Sequence, residues 1–329
     1  MGGNALKQTK VRRYELDEYK AFTEGVIKDL SGLLPLSRIS EVKPYSSKDS
    51  FGDLDIVIED VSSVREVVEQ NFASLGVTEV FKNKDVWSLG WGDFQVDLIF
   101  KSSDEYDFTL KYLSFNDLGN FIGRTSRRLG FKFGQAGLEY IYRGEKGYVR
   151  DVLVTDDFKA ALEFLGFDSD RYELGFADLN EIFDYASSSK YFSRDSFDLS
   201  KRPHDARTRD AKRKNYTLFL EWLKSSNLPD AGDNVCRVVQ LSRALCEFPQ
   251  FAHRMHAIEL EHREDIVFRE KFNGRMVGDV TGLKHRELGD FMSKLKNHSV
   301  GGKSFKKYVV SSDEKELMLY IKSVFEQVS

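Results

Sequence analysis

Cysteine and proline are scarce in this 329-residue chain, at two and five residues. Cys236 and Cys246 fall in one stretch of helical pattern and cannot make a disulfide framework, so a reducing, cytoplasmic compartment is the expectation. Few prolines leave few rigid linkers, and twenty-six Phe point instead to well-filled cores. No apolar run is long enough to span a bilayer, and Met1-Gly-Gly-Asn-Ala-Leu-Lys7 lacks the apolar segment of a signal peptide. Leu6 stands where an N-myristoylation signal needs Ser or Thr, so Gly2 is not read as an acceptor and no membrane partner is expected. A strong charge of one sign is missing too. The net charge of -4 gives no global attraction for nucleic acid, and any such contact must use a local basic face. No Walker-type glycine loop precedes a helix, and no Ser-His-Asp or Cys-His arrangement has supporting context. His253, His256 and His262 have no cysteine nearby, and on a helix the third lies well around and along from the first two. They read as structural or solvent-facing, and no structural zinc is expected.

What is present describes two domains of ordinary globular composition. Residues 14 to 34 have the spacing of an amphipathic helix, with Phe22, Val26, Ile27, Leu30 and Leu33 on one side. Ile39 to Tyr45 alternates like a strand, and polar turn chemistry follows to Gly52. A second helix, capped by Ser62 or Ser63, runs towards Gly76, and short strands are expected at Val77 to Lys82, Val86 to Leu89 and Phe94 to Phe100. Helix is expected between Asp104 and Gly130, a hairpin over Leu138 to Val154, and a short helix over Asp156 to Leu165. The expectation is an α/β (α+β) domain with a small mixed sheet over 1–172, then a mainly helical domain over 173–329. In the latter, helices are expected near 178 to 188, 206 to 225, 234 to 247, 250 to 270 and 285 to 297, and Phe305 to Ser329 reads as a strand and a helix.

Three aspartates carry the chemistry: Asp53 and Asp55 in Gly52-Asp-Leu-Asp-Ile-Val-Ile58, and Asp97 in Gln95-Val-Asp-Leu-Ile-Phe100. Strand residues two apart share a face, so Asp53 and Asp55 can serve one set of cations. Asp97 sits among Val96, Leu98 and Ile99, where a carboxylate without a partner is costly. Three such carboxylates suit Mg²⁺, which prefers oxygen ligands and keeps positions open for phosphates.

Pro44-Tyr-Ser-Ser-Lys-Asp-Ser-Phe-Gly-Asp-Leu-Asp-Ile-Val-Ile58 resembles the catalytic strand of family X DNA polymerases, within the polymerase β-type nucleotidyltransferase superfamily. Val96-Asp-Leu-Ile-Phe100 resembles that family's third-aspartate strand, and Tyr106 to Arg124 its nucleotide pocket. The similarity covers roughly residues 38 to 172. It implies that Asp53, Asp55 and Asp97 bind two Mg²⁺, with Mn²⁺ an acceptable replacement, and that Asp97 is the candidate base beside the attacking hydroxyl. It also implies that Ser46, Ser47, Lys48 and Gly52 face the triphosphate of a nucleoside triphosphate, that Tyr112, Asp117 and Asn120 lie beside its sugar and base, and that Arg124 contacts nucleic acid. The chain departs from the family in three ways: the basic loop is reduced to Lys48, Phe115 replaces the pocket glycine, and Ser46-Ser47 stands in place of a Gly-Ser pair. Gly2-Gly3 is far from Asp53 and reads as a chain end rather than as a Gly-Gly turn.

The segment Phe272 to Met292 is similar to the one that closes the body of CCA-adding enzymes and bacterial poly(A) polymerases; its glycines also read as the caps and turns of a helix-turn-helix. Two basic clusters suit a polyanion. Lys201 to Lys214 holds seven Lys or Arg against two Asp, among them Arg207, Arg209, Lys212 and Arg213. Arg127 and Arg128, with Arg124 and Lys132, form the other. The expected function is transfer of NMP from an NTP to a nucleic-acid 3′ hydroxyl, with RNA or tRNA preferred because the DNA-holding modules of family X are not in this chain. Templated DNA synthesis and a non-catalytic nucleic-acid-binding protein are the alternatives.

Overall fold

The computed structural model describes residues 5–228 and 235–328, and Gly2 and Gly3 lie outside them. In chain order the first elements are β1 (Tyr14–Glu15), α1 (Leu16–Leu33), β2 (Ile39–Glu41), β3 (Ser50–Phe51), β4 (Asp53–Glu59), α2 (Val64–Gln70), β5 (Val77–Asn83), β6 (Val86–Trp91) and β7 (Phe94–Lys101). Five of these strands form one mixed sheet in the order β2-β4-β7-β6-β5, in which only β4 and β7 run parallel. Alternation along the strands sorts the two faces. Leu54, Ile56 and Ile58 of β4, with Val96, Leu98 and Phe100 of β7, join Val26 and Leu30 of α1 in the main core. Val57 and Ile99 face the other way, against Tyr106. The expected strand at Ile39 to Tyr45 is shorter than its alternation suggests and ends at Glu41. Ser63 precedes α2 in a left-handed conformation (φ +66°) and makes no side-chain cap, contrary to the capping role expected of it.

Next come α3 (Ser103–Leu113), α4 (Leu118–Leu129), β8 (Phe131–Gly134), β9 (Gly137–Gly144), β10 (Gly147–Thr155), α5 (Phe158–Phe164), α6 (Ser169–Glu173) and α7 (Leu179–Ser187). The helical stretch expected between Asp104 and Gly130 is two helices, parted at Phe115 and Asn116, both left-handed at φ +60° and +61°. A left-handed phenylalanine is strained, whereas glycine takes that conformation freely. Burial of Phe115 edge-on against Tyr172 and Phe176 compensates.

Then follow α8 (His204–Ala211), α9 (Lys214–Ser225), α10 (Arg237–Glu247), α11 (Pro249–Lys271), α12 (Gly274–Thr281), α13 (His285–Lys296), β11 (Ser299–Val300), β12 (Lys303–Ser304), α14 (Phe305–Ser311) and α15 (Glu314–Val328). The chain divides into two compact units, Met1–Ala252 and His253–Ser329. This cut differs from the expected boundary near 173, because the intervening helices pack into the first unit: Phe121 of α4 stacks on Phe219 of α9 and meets Phe183 of α7. In the second unit the segment 272–292 is a helix-turn-helix. The Asn273 side chain caps α12 by accepting from the Met276 amide (3.0 Å), and Gly282 ends it at φ +73°. A helix, α14, replaces the strand expected at Phe305, because Phe305 and Val309, one turn apart, both enter the core beside Leu317 and Ile321.

A buried charge node joins the helices of the first unit. Asp210, fully buried, accepts from Arg124 (2.5 Å) and Arg202 (2.5 Å), and Arg202 also donates to the Ser196 carbonyl and the Tyr216 hydroxyl. Removing one member of a buried pair costs about 3–5 kcal/mol because the partner charges stay behind. Asp210→Ala should therefore lower the stability of this unit by about 3 kcal/mol, the low end because Arg124 keeps 17% of its side chain exposed. Urea unfolding followed by tryptophan fluorescence measures it, and an unchanged midpoint would show that the node is not structural.

Candidate metal centre and its cleft

Asp55 of β4 and Asp97 of β7 are directly opposite each other in the one parallel pairing of the main sheet, and Asp53 lies opposite Gln95. The register places all three carboxylates on the face that carries Val57 and Ile99. At the Val57 end α3 covers that face; at the other end it opens into a cleft of about 790 Å³. One oxygen from each of Asp53, Asp55 and Asp97 lies within 4.8 Å of the others, a spacing that could hold a metal ion. Among the described residues no other group of His, Cys, Asp or Glu does so.

The electrostatics fit a cation. Burial and the charges of Asp53 and Asp97 push the Asp55 carboxyl up to about 8, and Lys48 offsets only part of this. Asp97 is raised to about 6, chiefly by burial and then by Asp53, while hydrogen bonds from Ser88 and Gln95 pull the other way. The Gln95 amide donates to both Asp97 oxygens, at 2.9 and 3.2 Å. The protein thus concentrates negative charge in a half-buried place and does not neutralise it from within.

Several residues expected at the site line the cleft: Lys48, Gly52, Asp117 and the three aspartates. The Lys48 ammonium lies 4.6 Å from the centre of the Phe51 ring, and burial lowers its pKa against the pull of Asp53 and Asp55. Ser46 and Ser47 are not in the lining. Their amides donate to the carbonyls of Phe176 (2.9 Å) and Ala177 (2.8 Å), so the small residues serve to tie this loop to the 176–177 segment. Tyr112 packs against Phe133, and the Nδ2 of Asn120 is buried without a hydrogen bond; neither lines the cleft.

The arginines divide in two. Arg124 is bound to Asp210, Arg128 donates to the carbonyls of Tyr191 and Phe192, and Arg213 is paired with Asp117 at 2.7 Å. The role given to Arg124 at a nucleic-acid surface is therefore corrected: a charge already held by a buried carboxylate is not offered to a phosphate. Arg127, Arg207, Arg209 and Lys212 are exposed.

Among the cleft residues not assigned to the site from sequence are Arg13, Lys43, Lys214 and Asn215. Arg13 reaches it because β1 pairs with β3, placing Tyr14 opposite Phe51, and its guanidinium donates to the Ser50 hydroxyl and carbonyl. No local motif surrounds it. Lys214 belongs to the basic run, and its position as the first residue of α9 was the available signal. Leu113, Leu179 and Leu218 supply apolar lining beside Asn116 and Asn215.

No protein-family model matches the chain, and no curated protein matches it.

The raised carboxyls set a pH dependence. In the metal-free protein they hold protons that the unfolded chain has already released, so stability falls as pH rises from about 4, the ordinary carboxylate range, through about 8. With EDTA present the Tm should be lower at pH 8 than at pH 6, and Mn²⁺ should raise the pH 8 value. Asp55→Asn should raise the EDTA Tm at pH 8 by a few degrees, since about 1 kcal/mol moves Tm by about 2–4 °C in units of this size. It should also abolish the response to Mn²⁺. A native Tm indifferent to Mn²⁺ would remove the metal centre.

Proposed function

We propose that the chain is a Mg²⁺-dependent nucleotidyltransferase that moves NMP from a nucleoside triphosphate to the 3′ hydroxyl of a nucleic acid, foremost an RNA or tRNA end, releasing pyrophosphate. The observation that carries this reading is the two-signed lining of one cleft: three converging carboxylates, with Arg13, Lys43, Lys48 and Lys214 around them. A carboxylate cluster alone suits a cation, and a ring of basic groups alone suits an anion. Both together suit a polyphosphate that arrives with metal.

In the proposed reaction the acceptor oxygen attacks the α-phosphorus in line, the bond to the pyrophosphate oxygen breaks, and the hydroxyl proton passes to a carboxylate or to water. Two Mg²⁺ held by Asp53, Asp55 and Asp97 would supply charge neutralisation at the attacking and leaving oxygens. The chain's own share is positioning. Asp97 is the candidate base, and Lys48 and Arg13 meet the phosphates. Leu113, Leu179 and Leu218 can take the faces of a base while Asn116 and Asn215 meet its edge. A polyanionic acceptor is supported by the exposed Arg207 and Lys212, which lead along the chain to Lys214 in the cleft.

A second reading, a nucleic-acid-binding protein without catalysis, is favoured by the loop at Ser46 and Ser47, whose amides are already bonded to Phe176 and Ala177.

The deciding experiment offers the protein Mg²⁺ with each labelled NTP and dNTP, and three acceptors: tRNA lacking its 3′ end, single-stranded RNA and gapped DNA. Incorporation of NMP into RNA is expected. Asp53→Ala should reduce it at least about a thousandfold, and Lys214→Met should lower kcat/KM about tenfold, equivalent to about 1.4 kcal/mol. Templated dNMP incorporation into gapped DNA would make the protein a DNA polymerase. No incorporation anywhere, with retained RNA binding, would establish the second reading.

A further inference from the structure

We infer that Gln95 is a positioning residue for Asp97, and that the N-terminal segment from Ala5 to Arg13 orients it; the inference rests on the metal-centre reading above. Gln95 is 2% exposed and lies two residues before Asp97 on the same face of β7. Its Nε2 donates to both Asp97 oxygens, at 2.9 and 3.2 Å. A primary amide has two nearly isosteric orientations, and the flipped one would turn a carbonyl oxygen towards the carboxylate. The backbone amide of Ala5 selects between them by donating to Oε1 at 3.2 Å. Asp97 therefore owes part of its orientation to a residue 92 positions away, through one glutamine.

The segment that carries Ala5 is itself well anchored. The amides of Lys7, Gln8 and Thr9 converge on the Glu79 carboxylate at 2.9, 2.9 and 2.7 Å. Arg12 binds Asp93 and Glu18, and Arg13 binds Ser50 at the cleft. One strap thus supports the third carboxylate at one end and delivers a cation to the cleft at the other. Ser88 also bonds Asp97, so loss of Gln95 should loosen the carboxylate without releasing it.

The test is a double-mutant cycle on the full chain. Gln95→Met keeps the volume and removes the amide, while Ala5→Pro deletes the backbone donor, fixes φ at that position and changes no core side chain. Mn²⁺ titration followed by electron paramagnetic resonance gives the affinity, and thermal unfolding in EDTA reports the fold. Each variant should weaken Mn²⁺ binding about three- to tenfold while the EDTA Tm stays within about 2 °C. The double variant should be no weaker than the weaker single one, because the two groups act in series. For a transferase, activity should need more Mn²⁺ for half-saturation while kcat at saturating metal stays near native.

Unchanged Mn²⁺ affinity in both variants overturns the inference. Effects that multiply in the double variant overturn the role of the strap. If Gln95→Met does not fold, Ala5→Pro carries the test alone. A native protein that binds no Mn²⁺ overturns the metal-centre reading itself, a result distinct from native binding that ignores the two substitutions.

Discussion

Three carboxylates held within 4.8 Å of one another on neighbouring parallel strands are an electrostatic burden that the rest of the first unit is built around. Like charges so close raise each other's proton affinity, and burial removes the water that would screen them. The sheet keeps them there because Leu54, Ile56, Ile58, Val96, Leu98 and Phe100 fill the opposite face and lock the register. A one-residue slip would move every apolar side chain out of the core, so the hydrophobic face enforces the polar one. Relief comes from Gln95 and Ser88 on Asp97 and from Lys48 near Asp53 and Asp55.

Charges elsewhere in this unit are treated differently. Asp210 is fully buried, but three arginines, Arg124, Arg202 and Arg209, satisfy it, which makes it a joint between helices. Asp117 is likewise occupied by Arg213. Acidic and basic groups that meet are structural here. The three aspartates line one cleft together with Arg13, Lys43, Lys48 and Lys214. That two-signed lining is the physical basis of the proposed transferase, and internal pairing accounts for the failure of simple charge counting: of the arginines in the two basic clusters, Arg124, Arg128, Arg202, Arg209 and Arg213 are engaged inside the protein.

Much of the fold was legible because its signals are local. The helix of α1, the strands β5 to β7 and the hairpin of β9 and β10 follow from apolar spacing and turn residues, and each is found within a few residues of expectation. The misses have tertiary causes. The stretch from Phe305 reads as a strand before a helix, yet Phe305 and Val309 reach the core as neighbours on a helix. Phe115 interrupted a helix by taking a left-handed conformation that no local rule assigns to phenylalanine, and its packing on Tyr172 and Phe176 pays for the strain. Ser46 and Ser47 read as a phosphate loop, but a segment some 130 residues further on takes their amides.

By itself the sequence determined the three aspartates, their strands and their shared face, because the two-residue period of a strand turns spacing directly into orientation. Only the tertiary structure decided which basic groups stand beside them. Arg13 arrives by a strand pairing, Lys214 by the packing of α9, and the support of Asp97 passes through Ala5. These partners are far apart in the chain, and nothing in the local pattern encodes a meeting that depends on how separate elements pack.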